Sequence, residues 1–235
     1  MLCGHRGSGR GEVGGQRENT LGSFLAAVDL GLRWVEMDAR LNADGELVCF
    51  HDPAADGRLV SALSSPETDA LGIARSADLL RELPAHVGID LEIKTSLEDA
   101  ARPRGETTAA RVAALVERSP SRPLLVSSFD PSAILIFREL LPDVPIGLLT
   151  WARFPLRKAI PAAVHLGAEV VAPHVSSVVP GEERSPSECV SAAHSAGLEV
   201  LVWNSRPEQR GELIAAGVDC LVIDDVPGAL ASPAS

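Results

Sequence analysis

The stretch at residues 34–52, WVEMDARLNADGELVCFHD, decides the fold. It contains two runs of β-forming residues, Trp34–Leu41 and Glu46–His51, on either side of Asp44-Gly45. An Asp-Gly pair between two such runs is a strong hairpin signal. A loop of these two residues would set Asp38 opposite His51 on one face of the sheet. The sequence therefore predicts an antiparallel pair that brings a histidine back to a carboxylate.

The rest of the chain alternates between β-like runs and helical patterns. The other predicted strands are Leu2–His5, Val87–Lys94, Pro123–Phe129, Val144–Thr150, Glu169–His174, Leu198–Asn204 and Cys220–Asp224. The predicted helices are Thr20–Leu30 with Asn19 as its N-cap, Thr107–Glu117, Pro131–Leu141, Pro186–Ala196 and Pro207–Ala216. This alternation is typical of a parallel sheet with helical crossovers.

Nine predicted strands are one too many for a (β/α)₈ barrel, and the second hairpin strand accounts for the excess. A chain of 235 residues that is 46% hydrophobic can form one large core. We therefore predict an α/β fold, a TIM barrel with a β-hairpin and a short insertion after the second barrel strand. The expected organisation is a single domain over residues 1–235, with the insertion at about 53–80 and an irregular tail over 227–235.

Charge and composition limit the partners. A net charge of −11 repels nucleic acid and anionic membrane surfaces at long range. Apolar runs are strand-sized, well below the roughly 20 residues of a membrane span. The first residues show no basic segment followed by an apolar one. We expect a cytoplasmic protein with a small-molecule ligand, no nucleic acid partner and no stable membrane insertion; the oligomeric state is not indicated.

Three acids stand at the ends of predicted strands. Glu36 and Asp38 are two residues apart, so they share one face of their strand, and Glu92 comes from another strand end. Carboxylates that meet without Cys or His ligands suit a hard divalent cation, Mg²⁺ or Ca²⁺. Any one of these acids could instead be salt-bridged or solvated, but together they favour a metal site.

Two histidines and two cations complete the candidate site. His5 and His51 are candidates for general acid and general base, because imidazole titrates near neutrality. Lys94 is one of only two lysines among 21 basic residues, which favours a specific contact with a phosphate oxygen. Arg6 offers a guanidinium fork that can hold two phosphate oxygens.

The order of these motifs resembles the glycerophosphodiester phosphodiesterase family. The resemblance covers nearly the whole chain and is carried by His5-Arg6-Gly7, Glu18-Asn19-Thr20, Glu36-x-Asp38, Asp44-Gly45 before His51-Asp52, Glu92-x-Lys94, Ser127-Ser128-Phe129, Trp203-Asn204, and Gly217-Val218-Asp219 before Asp224. It implies a TIM barrel that hydrolyses glycerophosphodiesters to an alcohol and glycerol 3-phosphate with a divalent cation.

The resemblance also implies roles for individual residues. Metal ligation would fall to Glu36, Asp38 and Glu92, and acid–base chemistry to His5 and His51. The substrate contacts it implies come from Arg6, Lys94, Glu18, Phe129 and Trp203, with Glu18 a supporting group near the metal.

Two other functions stay open at this point. A related phospholipase-D-like lyase would form cyclic phosphates from lysolipids with the same histidines and carboxylates, and would need a large apolar patch at the barrel mouth. A noncatalytic barrel that binds phosphodiesters would have no use for two proton-transfer groups.

Overall fold

The computed structural model describes residues 1–179 and 184–231. The strands in this part of the chain are β1 (Leu2–Gly4), β2 (Glu12–Val13), β3 (Gln16–Arg17), β4 (Trp34–Leu41), β5 (Leu47–Cys49), β6 (Ala54–Ala55), β7 (Arg58–Leu59), β8 (Gly88–Ile93), β9 (Leu124–Ser128), β10 (Ile146–Thr150), β11 (Val170–Pro173), β12 (Glu199–Val202) and β13 (Cys220–Ile223).

Helices follow most of the barrel strands. They are α1 (Leu21–Asp29), α2 (Ser65–Ala70), α3 (Ser76–Glu82), α4 (Thr108–Arg118), α5 (Pro131–Leu140), α6 (Leu156–His165), α7 (Pro186–Ser195), α8 (Pro207–Ala215) and α9 (Val226–Ala231). Short 3₁₀ turns occupy Val60–Ala62, Leu97–Ala100, Arg104–Glu106 and Val175–Ser177. No helix in the described ranges combines the length and the apolar character needed to cross a membrane.

Eight parallel strands close into a barrel, as predicted. Their order around it is β1, β4, β8, β9, β10, β11, β12 and β13, and β13 returns to β1. Gly4 on β1 pairs with Ile223 on one side and with Val35 on the other. Because every neighbour is parallel, the carboxyl ends of all eight strands lie at the same end of the barrel.

The two faces of β4 explain how the barrel is both packed and reactive. Val35, Met37 and Ala39 are fully buried in the core between the strands and the outer helices. Glu36 and Asp38 alternate with them and therefore lie on the opposite, inner face. The period of two thus separates the packing residues from the chemically active ones.

The predicted register of the hairpin is wrong by one residue. β4 and β5 pair with Ala39 opposite Cys49, so position 38 lies opposite 50 instead of His51. The backbone N–H of Asn42 donates to the carbonyl of Glu46 at 3.0 Å, which leaves a loop of three residues, 43–45. The predicted loop counted only two of them.

His51 still reaches the mouth of the barrel, because β5 ends before it. The strand stops at Cys49, and the guanidinium of Arg40 donates two hydrogen bonds, of 2.9 and 2.7 Å, to the His51 carbonyl. The side chain of His51 lines the cavity at the barrel mouth from this turn. The alternation of side chains along β5 therefore does not determine the direction of the His51 side chain.

Other local differences follow from caps and prolines. The segment over 53–80 contains β6, β7, α2 and most of α3, which ends at Glu82. Helix α2 begins with a capping box from Ser64 and Glu67 that could have been predicted from the sequence. Helix α6, which was not predicted, contains Pro161. Residues 226–231 form α9 where an irregular tail was expected, and 232–235 lie outside the described residues.

Candidate active site

The predicted site residues lie at the carboxyl end of the barrel. Several of them occupy the first position after a strand: His5 follows β1, Lys94 follows β8, Phe129 follows β9 and Trp203 follows β12. The carboxyl ends of the parallel strands surround the mouth of the barrel, so side chains at these positions can face into it. They line one cavity of about 750 Å³.

Three carboxylates meet at this end of the barrel. Oxygen atoms of Glu36, Asp38 and Glu92 all lie within 4.8 Å of one another, and the three side chains are buried. Oε1 of Glu36 is buried and accepts no hydrogen bond. The predicted metal ligands therefore lie close together, and one of their carboxylate oxygens, Oε1 of Glu36, has no hydrogen-bond partner.

Burial and mutual repulsion perturb these acids. Burial, and then the charges of Asp38 and Glu92, raise the pKa of Glu36 well above its usual value. Burial likewise raises the pKa of Glu92 to about 7. Asp38 differs: burial alone would raise its pKa, but Lys94 and Arg6 lower it. A positive charge close to these crowded carboxylates favours their ionised forms.

Lys94 and Arg6 supply part of that charge. The Nζ atom of Lys94 lies 3.1 Å from Oδ1 of Asp38 and 2.5 Å from Oε1 of Glu92. The Nε atom of Arg6 lies 3.4 Å from Oδ2 of Asp38. Both cations also line the cavity, where they face any anionic ligand.

His5 is held by a residue from the other end of the chain. Its Nδ1 atom is in hydrogen-bond contact with Oδ1 of Asp224, just after β13. Its Nε2 atom points the other way and lies 3.7 Å from Oε2 of Glu36. A carboxylate only accepts hydrogen bonds, so Nδ1 carries a proton and Nε2 is the nitrogen available to a ligand.

His51 lies in a different electrostatic setting. Its Nδ1 atom is 2.7 Å from Oδ1 of Asp52, which is largely exposed. Burial, together with the nearby charges of Lys94 and Arg6, lowers the pKa of His51 although Asp38 opposes this. A neutral imidazole is therefore favoured near pH 7.

The motif Glu18-Asn19-Thr20 contacts Arg6 and Asp38 of the site. Oε1 of Glu18 accepts a hydrogen bond of 2.8 Å from Arg6, so Glu18 positions that guanidinium and does not line the cavity. Asn19 donates to Oδ2 of Asp38 at 2.7 Å. The prediction of Asn19 as an N-cap is wrong, because Thr20 caps α1 by accepting from the Ser23 N–H.

The turn that presents Arg6 depends on a glycine. Gly7 has a φ of +100°, and a Cβ there would come within 2.4 Å of the Ser23 hydroxyl. That hydroxyl accepts from the Ser8 N–H at 2.9 Å and donates to the Arg6 carbonyl at 3.1 Å. The close approach fixes the loop that carries His5 and Arg6 against α1.

An aromatic cluster forms the opposite side of the cavity. The ring of Phe129 stacks on Trp151 with centroids 4.3 Å apart, and Trp203 meets Phe129 edge-on at 5.6 Å. Lys94 Nζ lies 5.8 Å from the centroid of Phe129, which joins this cluster to the charged side. Phe129 and Trp203 thus line the cavity.

A second cavity, of about 610 Å³, lies at the amino-terminal end of the barrel. It is lined by Cys3, Trp34 and Cys220 and reaches Asp90, which also forms part of the floor of the first cavity. Burial raises the pKa of Asp90 to about 7, and Ser127 donates to it at 2.7 Å. None of the predicted catalytic or metal-binding residues lines this second cavity.

Sequence reasoning missed several residues of the site. Asp224 was assigned no role because it is 219 residues from His5; the predicted closure of the barrel, which joins the first and last strands, was the signal for it. Trp151 carried no motif. His174, directly after β11, accepts from the Ser176 N–H and caps a 3₁₀ turn, which is a structural contact.

Comparisons with known proteins agree with this geometry. A sequence model of the glycerophosphoryl diester phosphodiesterase family matches residues 5–227. A glycerophosphodiester phosphodiesterase of Caldanaerobacter subterraneus is 25% identical over 245 residues, which cover 96% of this chain and 94% of that protein.

Solved structures have the same fold. A phosphodiesterase of Oleispira antarctica in complex with the product sn-glycerol-3-phosphate superposes with a TM-score of 0.79 at 25% identity, covering 100% of this chain and 97% of that one. A glycerophosphodiester phosphodiesterase of Thermotoga maritima gives a TM-score of 0.75 at 21% identity, with 96% and 95% covered. The chain belongs to the glycerophosphoryl diester phosphodiesterase family, whose members are phosphoric diester hydrolases.

Proposed function

We propose that this chain hydrolyses glycerophosphodiesters to an alcohol and glycerol 3-phosphate by histidine acid–base catalysis with a divalent cation, Mg²⁺ or Ca²⁺. The observation that carries the proposal is the meeting of three buried carboxylates within 4.8 Å, two of which, Glu36 and Glu92, line the same cavity as His5 and His51. The product bound to the Oleispira antarctica relative, sn-glycerol-3-phosphate, supports the same choice of substrate.

The donor set fits a hard divalent cation. Glu36, Asp38 and Glu92 offer only oxygen ligands, and the unpartnered Oε1 of Glu36 is one of them. A cation bound there would supply positive charge to the phosphoryl oxygens of the substrate. Lys94 and Arg6 would contact nonbridging oxygens of the same phosphoryl group.

The histidines would move the protons. One removes a proton from the nucleophile, either water or the neighbouring hydroxyl of the substrate, and the other protonates the oxygen of the leaving alcohol. With the hydroxyl as nucleophile the first step gives a cyclic phosphate, which water must then open to glycerol 3-phosphate, with proton transfer in the reverse sense between the two histidines. Asp224 supports His5 in this role because it fixes the proton on Nδ1 and directs Nε2 to the substrate. The lowered pKa of His51 suits a group that begins the reaction neutral.

We also propose that residues 1–235 act as one catalytic domain on a small-molecule diester, with no nucleic acid partner. The net charge of −11 supports the second part, because phosphate polymers are repelled and only the local cations of the site attract a single phosphoryl group.

A lyase that acts on lysolipids is the second candidate, because the aromatic side of the cavity provides apolar surface at the barrel mouth. Phosphorus NMR of the reaction with glycerophosphodiesters and with lysophosphatidylcholine separates the two. We expect a phosphate monoester, glycerol 3-phosphate, as the end product. A cyclic phosphate as the end product would favour the lyase, and binding without turnover would favour a noncatalytic barrel.

A further inference from the structure

The cavity at the barrel mouth has two chemically different halves. Strands β1, β4 and β8, with the loops that follow them, supply its catalytic and ionic side chains. Strands β9 to β12 supply mainly aromatic and aliphatic ones, namely Phe129, Leu149, Trp151, Leu201 and Trp203, beside the uncharged polar residues Ser127, Ser128 and Asn204. Among the cavity-lining residues that the structure describes, Asp130 is the single ionisable side chain on this second half.

Trp151 forms the rim of the aromatic half. One face of its ring is covered by Phe129, and 65% of the residue is nevertheless exposed. A tryptophan left open at the mouth of a cavity offers a large surface to a bound ligand, which gains free energy by covering it. The exposed surface of Trp151 is therefore available to one substituent of the diester.

The two substituents of a glycerophosphodiester differ in what they need. The glycerol hydroxyls require hydrogen-bond partners, which the charged half provides in abundance. The aromatic half offers few. The Nε1–H of Trp203 already donates to Ala172, and Nδ2 of Asn204 contacts Nε2 of His174. The hydroxyls of Ser127 and Ser128 donate to Asp90 and to the Ile93 carbonyl. The alcohol is thus the substituent that fits the aromatic half.

The same half also selects the kind of alcohol. A quaternary ammonium group has neither donors nor acceptors, so it loses no hydrogen bond there, and it is attracted to the face of Trp151. The carboxylate of Asp130 adds an opposite charge on the same half. A fatty acyl chain would cover Trp151 equally well but would gain nothing from Asp130.

We propose that Trp151 and Asp130 form a subsite for a quaternary ammonium group on the alcohol, so that the enzyme prefers choline diesters. This inference rests on the proposed function. The test compares kcat/KM for glycerophosphocholine with that for its neutral isostere, the 3,3-dimethylbutyl ester, in which carbon replaces the ammonium nitrogen. The ratio of the two values does not depend on how much of a variant is folded.

We expect the wild type to prefer glycerophosphocholine. Trp151→Ala should lower the ratio about 3- to 30-fold, the range of a cation–π contact, while Trp151→Phe keeps most of it. Asp130→Asn, which preserves the helix cap through Ser132, should lower it about 2- to 5-fold. Leu135→Ala, an exposed apolar residue elsewhere on α5, serves as the matched control and should leave the ratio unchanged.

Equal kcat/KM for the two esters in the wild type, or an equal loss of both in Trp151→Ala, would overturn the inference. Faster turnover of lysophosphatidylcholine than of glycerophosphocholine would overturn it in favour of an acyl chain. An assay with glycerophosphoglycerol, which has no ammonium group, distinguishes failure of the subsite proposal from failure of the proposed function. Its hydrolysis without a choline preference refutes the subsite alone, whereas no hydrolysis of any diester refutes both.

Discussion

Replacing Asp224 with Asn changes the group that orients His5 and little else. The carboxylate accepts from Nδ1 of His5 and leaves Nε2 facing the cavity, 3.7 Å from Glu36. The amide of Asn can donate to Nδ1 instead, which favours a proton on Nε2 and so the wrong tautomer. It also removes the negative charge that stabilises His5 when it becomes an imidazolium during proton transfer.

The expected loss of kcat in Asp224→Asn has an estimate and an upper bound. A hydrogen bond to a charged group contributes about 1.5–3 kcal/mol, which corresponds to about 10- to 150-fold in rate. The upper bound is the loss in His5→Ala, about 10²- to 10⁴-fold for a general acid or base. Asp224→Asn should therefore lower kcat by about 10- to 150-fold and change KM little.

The assay is steady-state kinetics on Asp224→Asn, His5→Ala and the double variant, with thermal unfolding to check the fold. Because Asp224 acts through His5, the double variant should be no slower than His5→Ala. Asp219→Asn is the matched control, since Asp219 also contacts a histidine, His194, at 2.8 Å but lines the cavity at the other end of the barrel. Near-normal kcat in Asp224→Asn, or losses that multiply in the double variant, would refute the reasoning.

The pH dependence of this contact has a definite sign. Burial alone would raise the pKa of Asp224, but the hydrogen bond from His5 and the charges of Arg10 and Arg6 lower it below its usual value. The orienting carboxylate is therefore ionised at neutral pH. Its contribution is lost only as the pH falls through that lowered pKa.

Three further predictions concern other residues of the chain. His51→Ala should lower kcat at least about 10²-fold in steady-state assays, and the exposed His86→Ala should not; equal rates would remove His51 from the mechanism. Lys94→Arg should lower turnover by up to roughly 10²-fold, because a wider, planar cation must fit between two buried carboxylates. The control Lys158→Arg should have no effect, and equal turnover of the two variants would show that lysine at 94 is incidental. Asp99→Ala removes the acceptor for the first N–H of α4 and should lower the free energy of unfolding by about 1–3 kcal/mol in denaturant titrations. An unchanged midpoint of unfolding would count against a stabilising role of that contact.

Much of this architecture could be predicted because of where polar residues interrupt apolar runs. Glu36 and Asp38 alternate with apolar residues within β4, and Glu92 and Lys94 lie at the carboxyl end of β8, which pairs with β4 in the parallel barrel. The barrel itself followed from the alternation of strands and helices. Its hairpin accounted for the extra strand.

Details set by a single residue or by long-range contacts were not predictable in the same way. The register of β4 and β5 depends on whether the loop has two or three residues, and Asp-Gly occurs in both kinds of turn. Trp151 is brought to Phe129 by the packing of neighbouring strand ends, which no local pattern encodes. Asn19 fits an N-cap by type, but Thr20 takes that place and leaves Asn19 to bind Asp38.

The central claim is that Glu36, Asp38 and Glu92 together hold the divalent cation that turnover requires. Calorimetric titration of Mg²⁺ or Ca²⁺ into chelator-treated wild type and Glu36→Gln, with activity followed over the same concentrations, tests it most directly. We expect activity of the wild type to return along its binding curve, and both binding and activity to be lost in Glu36→Gln. Without metal, this variant should unfold at a higher temperature than the wild type, because it removes a buried, repelled carboxylate. Full activity of the wild type in excess chelator would contradict the account.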